Sequence, residues 1–218
     1  IDHYAEPTCL VSDDGTRLDV WVNYGYYAYS YDGQSWSTPV AMDKQGYVNH
    51  HMMKVGDTYY YYGGNANDKK VLTGTDRIHF TEIGTAISKG SAGQWDAAGL
   101  GNIFVWKEDA NWFMLYEACA ANGDWAIGLA TSSDGITFTK YVSNPVISDS
   151  VIKSCCHPNM ARVNNEVIKH NGRYYCYYHD INLTGGQVYR AYSTDLHTWV
   201  KEGVILNNRD IQIGRAHV

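Results

Sequence analysis

The sequence predicts an all-β fold, a five-bladed β-propeller of four-stranded antiparallel blades, and three observations predict it. Aromatic residues are abundant, with 19 tyrosines and 7 tryptophans beside 4 prolines in 218 residues. An aspartate followed four positions later by an aromatic recurs four times. Ahead of each copy stand two apolar or aromatic runs parted by a turn signal. Aromatic-rich chains suit pleated, half-buried surfaces, and a period of some tens of residues marks repeated supersecondary units.

The four copies are Ser30/Asp32/Trp36, Gly74/Asp76/Phe80, Ser132/Asp134/Phe138 and Ser193/Asp195/Trp199. Aspartates at 32, 76, 134 and 195 give spacings of 44, 58 and 61 residues, the size of a propeller blade with variable loops. An aspartate, often followed by glycine, makes a tight turn by holding nearby backbone N–H groups with its side chain. The aromatic then starts the outer strand and packs between sheets. These four aspartates resemble an acid constellation, but their turn position makes them scaffold.

Upstream of each signature runs an aromatic strand: 18–22, 59–62, 112–116 and 174–178. Turn residues precede these strands (Asp14-Gly15, Gly56-Asp57, Asp109 with Asn111, Asn171-Gly172), and before the turns stand inner strands at 8–11, 52–55, 103–106 and 167–169. The chain is thus expected to be a single propeller domain over 1–218, with blades at about 5–40, 48–84, 95–141 and 157–203. A partial fifth blade follows at 210–218. An unfinished fifth blade exposes sheet edges, which makes association into oligomers an option.

Composition narrows the function classes. The formal charge of −6 is spread along the chain and no Lys/Arg cluster occurs, so no nucleic-acid partner is expected. No run approaches the roughly 18 apolar residues of a membrane span, so no membrane partner is expected. The chain begins at Ile1 without a signal-like run and reads as a mature, trimmed or partial chain, with a secreted or periplasmic setting favoured. Five cysteines (Cys9, Cys119, Cys155, Cys156, Cys176) lack zinc-type spacing. Cys176 reads as a buried thiol, and the adjacent Cys155 and Cys156 leave a vicinal disulfide open.

Blade geometry selects candidate functional residues. Inner strands ring the axis and the second strand runs antiparallel, so inner-strand starts and second-strand ends share one mouth. That places Glu6, His50, His51, Asn102, Glu166 and Asp210 at strand starts, and Asn23, Tyr24, Glu117, His179 and Asp180 at strand ends. The loops before inner strands add Trp95, Asp96 and His157. So many ionisable groups on one rim are costly to desolvate without a purpose.

The phrases Trp112–Ala118, Ile127–Gly135 and Asn144-Pro145-Val146 resemble the five-bladed propellers of the furanosidase-like glycoside hydrolases, families thirty-two, forty-three, sixty-two and relatives. The resemblance covers essentially the whole chain as blade pattern. It implies a glycosidase with three carboxylates in a central funnel: a base or nucleophile, a general acid, and a third that orients and tunes. The Trp-Met-Asn-Asp-Pro block of the invertase-like members is absent, and Glu6-Pro7 stands where an aspartate would open the first inner strand. Glycoside hydrolysis needs one protonated and one ionised carboxyl across the scissile bond. On this reading Glu6 is base or nucleophile, Glu117 general acid and Asp96 the third carboxylate, with Glu166 and Asp210 in reserve. His51, His157, His179, Asp180, Glu166, Asp210, Arg215 and Trp95 are substrate-contacting candidates, Arg215 through its planar fork and Trp95, like Trp125 and Tyr24, by stacking on a sugar face.

The histidine spacing matches no metal pattern, so no metal ligand is assigned; the resemblance to family forty-three allows a calcium ion on the axis. The expected partner is an oligo- or polysaccharide. Two other readings stay open. A non-catalytic, lectin-like propeller fits the aromatic content. A sialidase-like propeller is suggested by the Asp turns, although that family's aspartate box is one residue longer and its arginine triad has no convincing counterpart here.

Overall fold

The computed structural model describes residues 7–153, 159–182 and 187–207. They form an all-β structure without helix, built of β-propeller blades. The first sheet runs in order β1 (Thr8–Val11), β2 (Leu18–Val22), β3 (Tyr26–Ser30) and β4 (Val40–Ala41). The second is β5 (Val48–Val55), β6 (Thr58–Gly64), β7 (Asp68–Gly74) and β8 (Thr81–Ser88). The third contains β9 (Gly99–Glu108), β10 (Asn111–Cys119), β11 (Asp124–Ser132) and β12 (Thr139–Lys140), with β13 (Ile147–Lys153) also paired to β11. The fourth is β14 (Asn159–His170), β15 (Arg173–Asn182), β16 (Gln187–Ser193) and β17 (Val200–Asn207). Each sheet is an antiparallel meander, as the repeat predicts. Four blades stand among the described residues; the fifth blade expected at 210–218 lies outside them.

The segment expected to link the third and fourth blades instead contributes β13. The outer strand β12 has two residues against nine in β11, which leaves most of the β11 edge open. β13 fills it, pairing Ala126 with Ser148 and Ile127 with Ile147.

The chain divides into two compact units, Ile1–Lys89 with Val105–Met114 and Thr131–Thr139, and Gly90–Phe104 with Leu115–Ala130 and Lys140–Val218. In the first unit, alternate residues of β2, β5 and β6 turn inward and bury Trp21, Met52, Tyr59 and Tyr61 with Tyr27, Met42, Leu72 and Phe80. Tyr27 and Tyr59 stand 5.4 and 5.9 Å from Trp21, tilted as aromatic quadrupoles prefer. Truncating such a ring costs about 3–5 kcal/mol. Asp19, buried beneath this cluster, joins the first two blades. It accepts from Tyr27 Oη at 2.6 Å, from Arg17 Nη2 at 3.3 Å and from Arg77 Nε of the second blade's Asp turn at 2.8 Å.

The Asp turns are scaffold, as their position predicts. Asp32 Oδ1 accepts the N–H groups of Gln34 and Ser35 at 2.8 and 2.7 Å, while Ser30 Oγ accepts that of Gly33 at 2.8 Å. Asp76, Asp134 and Asp195 repeat the pattern on Ile78/His79, Ile136/Thr137 and His197/Thr198. Fixed N–H donors favour the ionised form, holding Asp32 and Asp76 down at about 2. The aromatics that follow differ in burial. Phe80 packs on Tyr61, and Phe138 stands edge-on to Tyr62 of the second blade. Trp36, with no earlier blade among the described residues to pack on, is 46% exposed.

Candidate functional site

In the second unit, the loop ahead of β9 brings Trp95 and Asp96 against Tyr116 of β10. Asp96 is 2% exposed, and its Oδ2 accepts from Lys140 Nζ of β12 at 2.5 Å and from Tyr116 Oη at 3.5 Å. Tyr116 Oη accepts in turn from the amide of Asn144 at 3.1 Å, and that amide is locked on both sides by Leu129, accepting its N–H at 2.8 Å and donating to its carbonyl at 2.9 Å. Burial first, and then the charge of Asp96, push the Tyr116 hydroxyl far up, so it stays a neutral donor. The Trp95 ring centroid lies 5.6 Å from that of Tyr116.

Two glycines make room for this cluster. A Cβ on Gly90 would stand 2.0 Å from Asp96 Oδ1, and one on Gly128 would stand 2.6 Å from the Tyr116 ring.

Glu117 follows Tyr116 on β10, and successive side chains of a strand point to opposite faces. The structure therefore brings Trp95, Asp96, Lys140 and Asn144 together on one face of the third sheet and sets Glu117 on the other. Glu117 is 2% exposed; its Oε2 accepts the Asn102 N–H of β9 at 2.8 Å. The carboxylate lies over Gly101, where a Cβ would come within 2.2 Å of Oε2. Both carboxylates are held by protein donors, Asp96 by Lys140 and Tyr116 and Glu117 by the Asn102 N–H.

In the first unit, His50 and His51 are the third and fourth residues of β5, which begins at Val48, two residues ahead of the expected strand start, and has a register shift against β6 between Val48 and His51. His50 Nε2 lies 3.3 Å from the Trp21 carbonyl and Nδ1 lies 3.1 Å from the Asn23 amide. A carbonyl only accepts, so Nε2 carries the proton. Burial lowers His50 to about 4 and keeps the ring neutral near pH 7. His51 keeps some surface exposure as a residue, yet its ring is packed deeply enough to fall to about 3, through burial first and then the neighbouring His50; it also bonds the Val105 carbonyl. Lys69 of β7 is fully buried, and its charge contributes to the lowering at His50.

The remaining expected residues are placed less fully. Glu166 lies in the interior of β14, which begins at Asn159 well ahead of the expected strand start, and pairs with Tyr177 beyond a register shift; His179 and Asp180 fall on β15, pairing with Arg162 and Ala161. Their side chains lie outside the described set, as do Glu6, His157, Asp210 and Arg215 altogether. Among the described residues no group of three or more His, Cys, Asp or Glu is arranged to hold a metal. They offer no set that fits the axial calcium, and no chemistry is derived through one.

Lys140, Asn144 and Tyr116 belong to the Asp96 cluster without being singled out as site residues by the sequence. Lys140 lies 44 residues from Asp96 in a two-residue outer strand, where a lone lysine reads as a solvated edge. Asn144, before a proline in the Asn144-Pro145-Val146 phrase, and Tyr116, within the Trp112–Ala118 phrase, carried a signal; Lys140 carried none.

No protein-family model and no curated protein sequence matches the chain. Solved structures do. A family 117 glycoside hydrolase from Zobellia galactanivorans superposes with a TM-score of 0.73 at 14% identity, over 92% of this chain and 69% of that one. An α-L-arabinofuranosidase from Clostridium thermocellum gives 0.67 at 16% identity, over 95% and 74%. An endo-arabinase from Bacteroides thetaiotaomicron gives 0.66 at 14% identity, over 94% and 81%. The fold is that of the furanosidase-like glycoside hydrolase propellers, the resemblance read from the sequence. At these identities the likeness is one of fold.

Proposed function

We propose that this protein is a glycoside hydrolase acting on an oligo- or polysaccharide, with Glu117 as general acid and Glu6 as base or nucleophile. The observation that carries the reading is Glu117 itself. It is a carboxyl group out of water near the end of a blade's second strand, seated in the space that Gly101 leaves and fixed by a backbone N–H. Such a group is costly to bury and is preorganised to meet a glycosidic oxygen. The fold shared with known glycoside hydrolases supports the reaction class.

Asp96, salt-bridged to Lys140, serves as the orienting carboxylate and positions Tyr116 and Trp95 rather than exchanging protons. His51, His157, His179, Asp180, Glu166, Asp210 and Arg215 complete the proposed substrate contacts, with Trp95 stacking on a sugar face. In the reaction, the acid protonates the leaving oxygen while the second carboxylate attacks the anomeric carbon or activates water.

The test is incubation with arabino-, xylo- and fructo-oligosaccharides, with products separated by chromatography and the first-formed anomer read by NMR. Hydrolysis is expected, and Glu117→Gln should slow it by about 10²–10⁴-fold. Saccharide binding without any product on prolonged incubation would instead make the propeller a lectin-like module.

A further inference from the structure

We propose that Tyr24 is a saccharide-stacking platform, held in a strained backbone conformation at the end of the first blade where β1 begins. The inference rests on the carbohydrate reading above. Tyr24 is the third residue of a turn closed by the Gly25 N–H donating to the Val22 carbonyl at 3.3 Å, and its φ is +68°. That position favours glycine, because a Cβ there crowds the backbone. A bulky aromatic side chain in this region is an outlier that calls for an explanation.

The other non-glycine residues of positive φ have one. Asn49, Asp109 and Asn171 are of types that tolerate the region. Leu196 (φ +66°) stands in an Asp turn where the sister copies carry Gly33 and Gly135, but its side chain is 4% exposed, so burial offsets the strain. Tyr24 has no such compensation among the described residues. It is 53% exposed, and its ring and hydroxyl have no partner among the described residues.

The turn is also unable to relax. The Gly25 carbonyl accepts the N–H of buried Met42 at 2.8 Å, and a Cβ on Gly25 would stand 2.5 Å from the Lys44 carbonyl oxygen. The ring is therefore presented to solvent on a rigid mount, next to the Asn23–His50 hydrogen bond and the Lys44–Gln45 backbone. A preorganised aromatic face flanked by amide groups suits a sugar ring, which offers C–H groups on its face and hydroxyls at its edge. Nothing among the described residues offsets the strain, so a ligand is what makes it useful.

The experiment compares wild type, Tyr24→Phe and Tyr24→Gly, with calorimetric titration of arabino-, xylo- and fructo-oligosaccharides and thermal midpoints measured without ligand. Tyr24→Phe keeps the face and should retain affinity. Tyr24→Gly should weaken binding about five- to tenfold while leaving the midpoint unchanged or raising it by roughly 1–3 °C, since glycine relieves the strain. A fall in midpoint with Tyr24→Gly, as for a scaffold residue, overturns the proposal. Saccharide binding that Tyr24→Gly leaves intact overturns it alone; a wild type that binds none of the probes overturns it together with the carbohydrate reading.

Discussion

Replacing Gly101 with alanine puts one methyl group against the proposed general acid, and the structure sets the size of the effect. The new Cβ would stand 2.2, 2.5 and 2.9 Å from Glu117 Oε2, Cδ and Cγ. Carbon–oxygen contacts settle at roughly 3.3 Å or more, so the carboxylate must move by about 1 Å. It has little room, being buried and bonded to the Asn102 N–H at 2.8 Å. Overpacking costs about 1–3 kcal/mol, and a buried hydrogen bond lost on displacement, leaving its donor unsatisfied, costs about 1–3 kcal/mol more.

Gly101→Ala should therefore lower stability by about 3–5 kcal/mol and the thermal midpoint by roughly 10 °C. A shift of this size in a reacting group costs about 10²-fold in rate. The assay is thermal denaturation with hydrolysis measured in parallel, set beside Gly46→Ala. Gly46 has φ +83° but nothing within 4 Å of its Cβ position, so that change carries backbone strain alone, about 1 kcal/mol. Combining Gly101→Ala with Glu117→Ala should recover part of the loss, because the clash partner is gone. A Gly101→Ala protein that melts with wild type and keeps full activity, or a double variant no better than the sum of the singles, would refute the reasoning.

Two further outcomes follow from other parts of the structure. Asp19→Ala leaves Arg17, Arg77 and Tyr27 without their shared acceptor and should cost about 3–5 kcal/mol in urea titration; an effect under about 1 kcal/mol would show that the blades are not joined there. Acid should unfold the protein in stages. The folded state holds His50 at about 4 and His51 at about 3 against 6.5 for a solvated imidazole, so as pH falls through that window the unfolded chain takes up both protons first. Stability present above pH 6.5 is thus lost progressively towards 4, and His50→Gln should flatten the slope of midpoint against pH in that interval. Below it, Asp14, Asp32 and Asp76, each lowered to about 2, lose their contribution as pH falls from 3.8 through 2; midpoints measured across about pH 2–7 check both stages.

The Asp turns were readable because their chemistry is local. A carboxylate that bonds the N–H groups two and three residues ahead leaves its mark within one short window. Alternation made the strands readable for the same reason. β13 was not, since what creates it is the short partner β12, which leaves the β11 edge unfilled. The expectation that Glu117 and Asp96 share a rim came from strand order. Their assignment to opposite faces came from the alternation of Tyr116 and Glu117 together with the route of the loop that carries Asp96 back to Tyr116.

By itself, then, the sequence determined the class of the fold, the blade frame and the positions of the inner and second strands, because period and turn chemistry act over a few residues. Tertiary structure alone decided the environments. Gly101 clears space for Glu117 from a neighbouring strand, Lys140 reaches Asp96 across 44 residues, and burial strips His50 of its usual proton affinity. Those effects depend on distances between residues far apart in the chain, which a linear pattern does not encode. Tyr24 lies between the two cases: Asn23-Tyr24-Gly25 announces a turn, but only the folded backbone shows which residue of the three carries the strain.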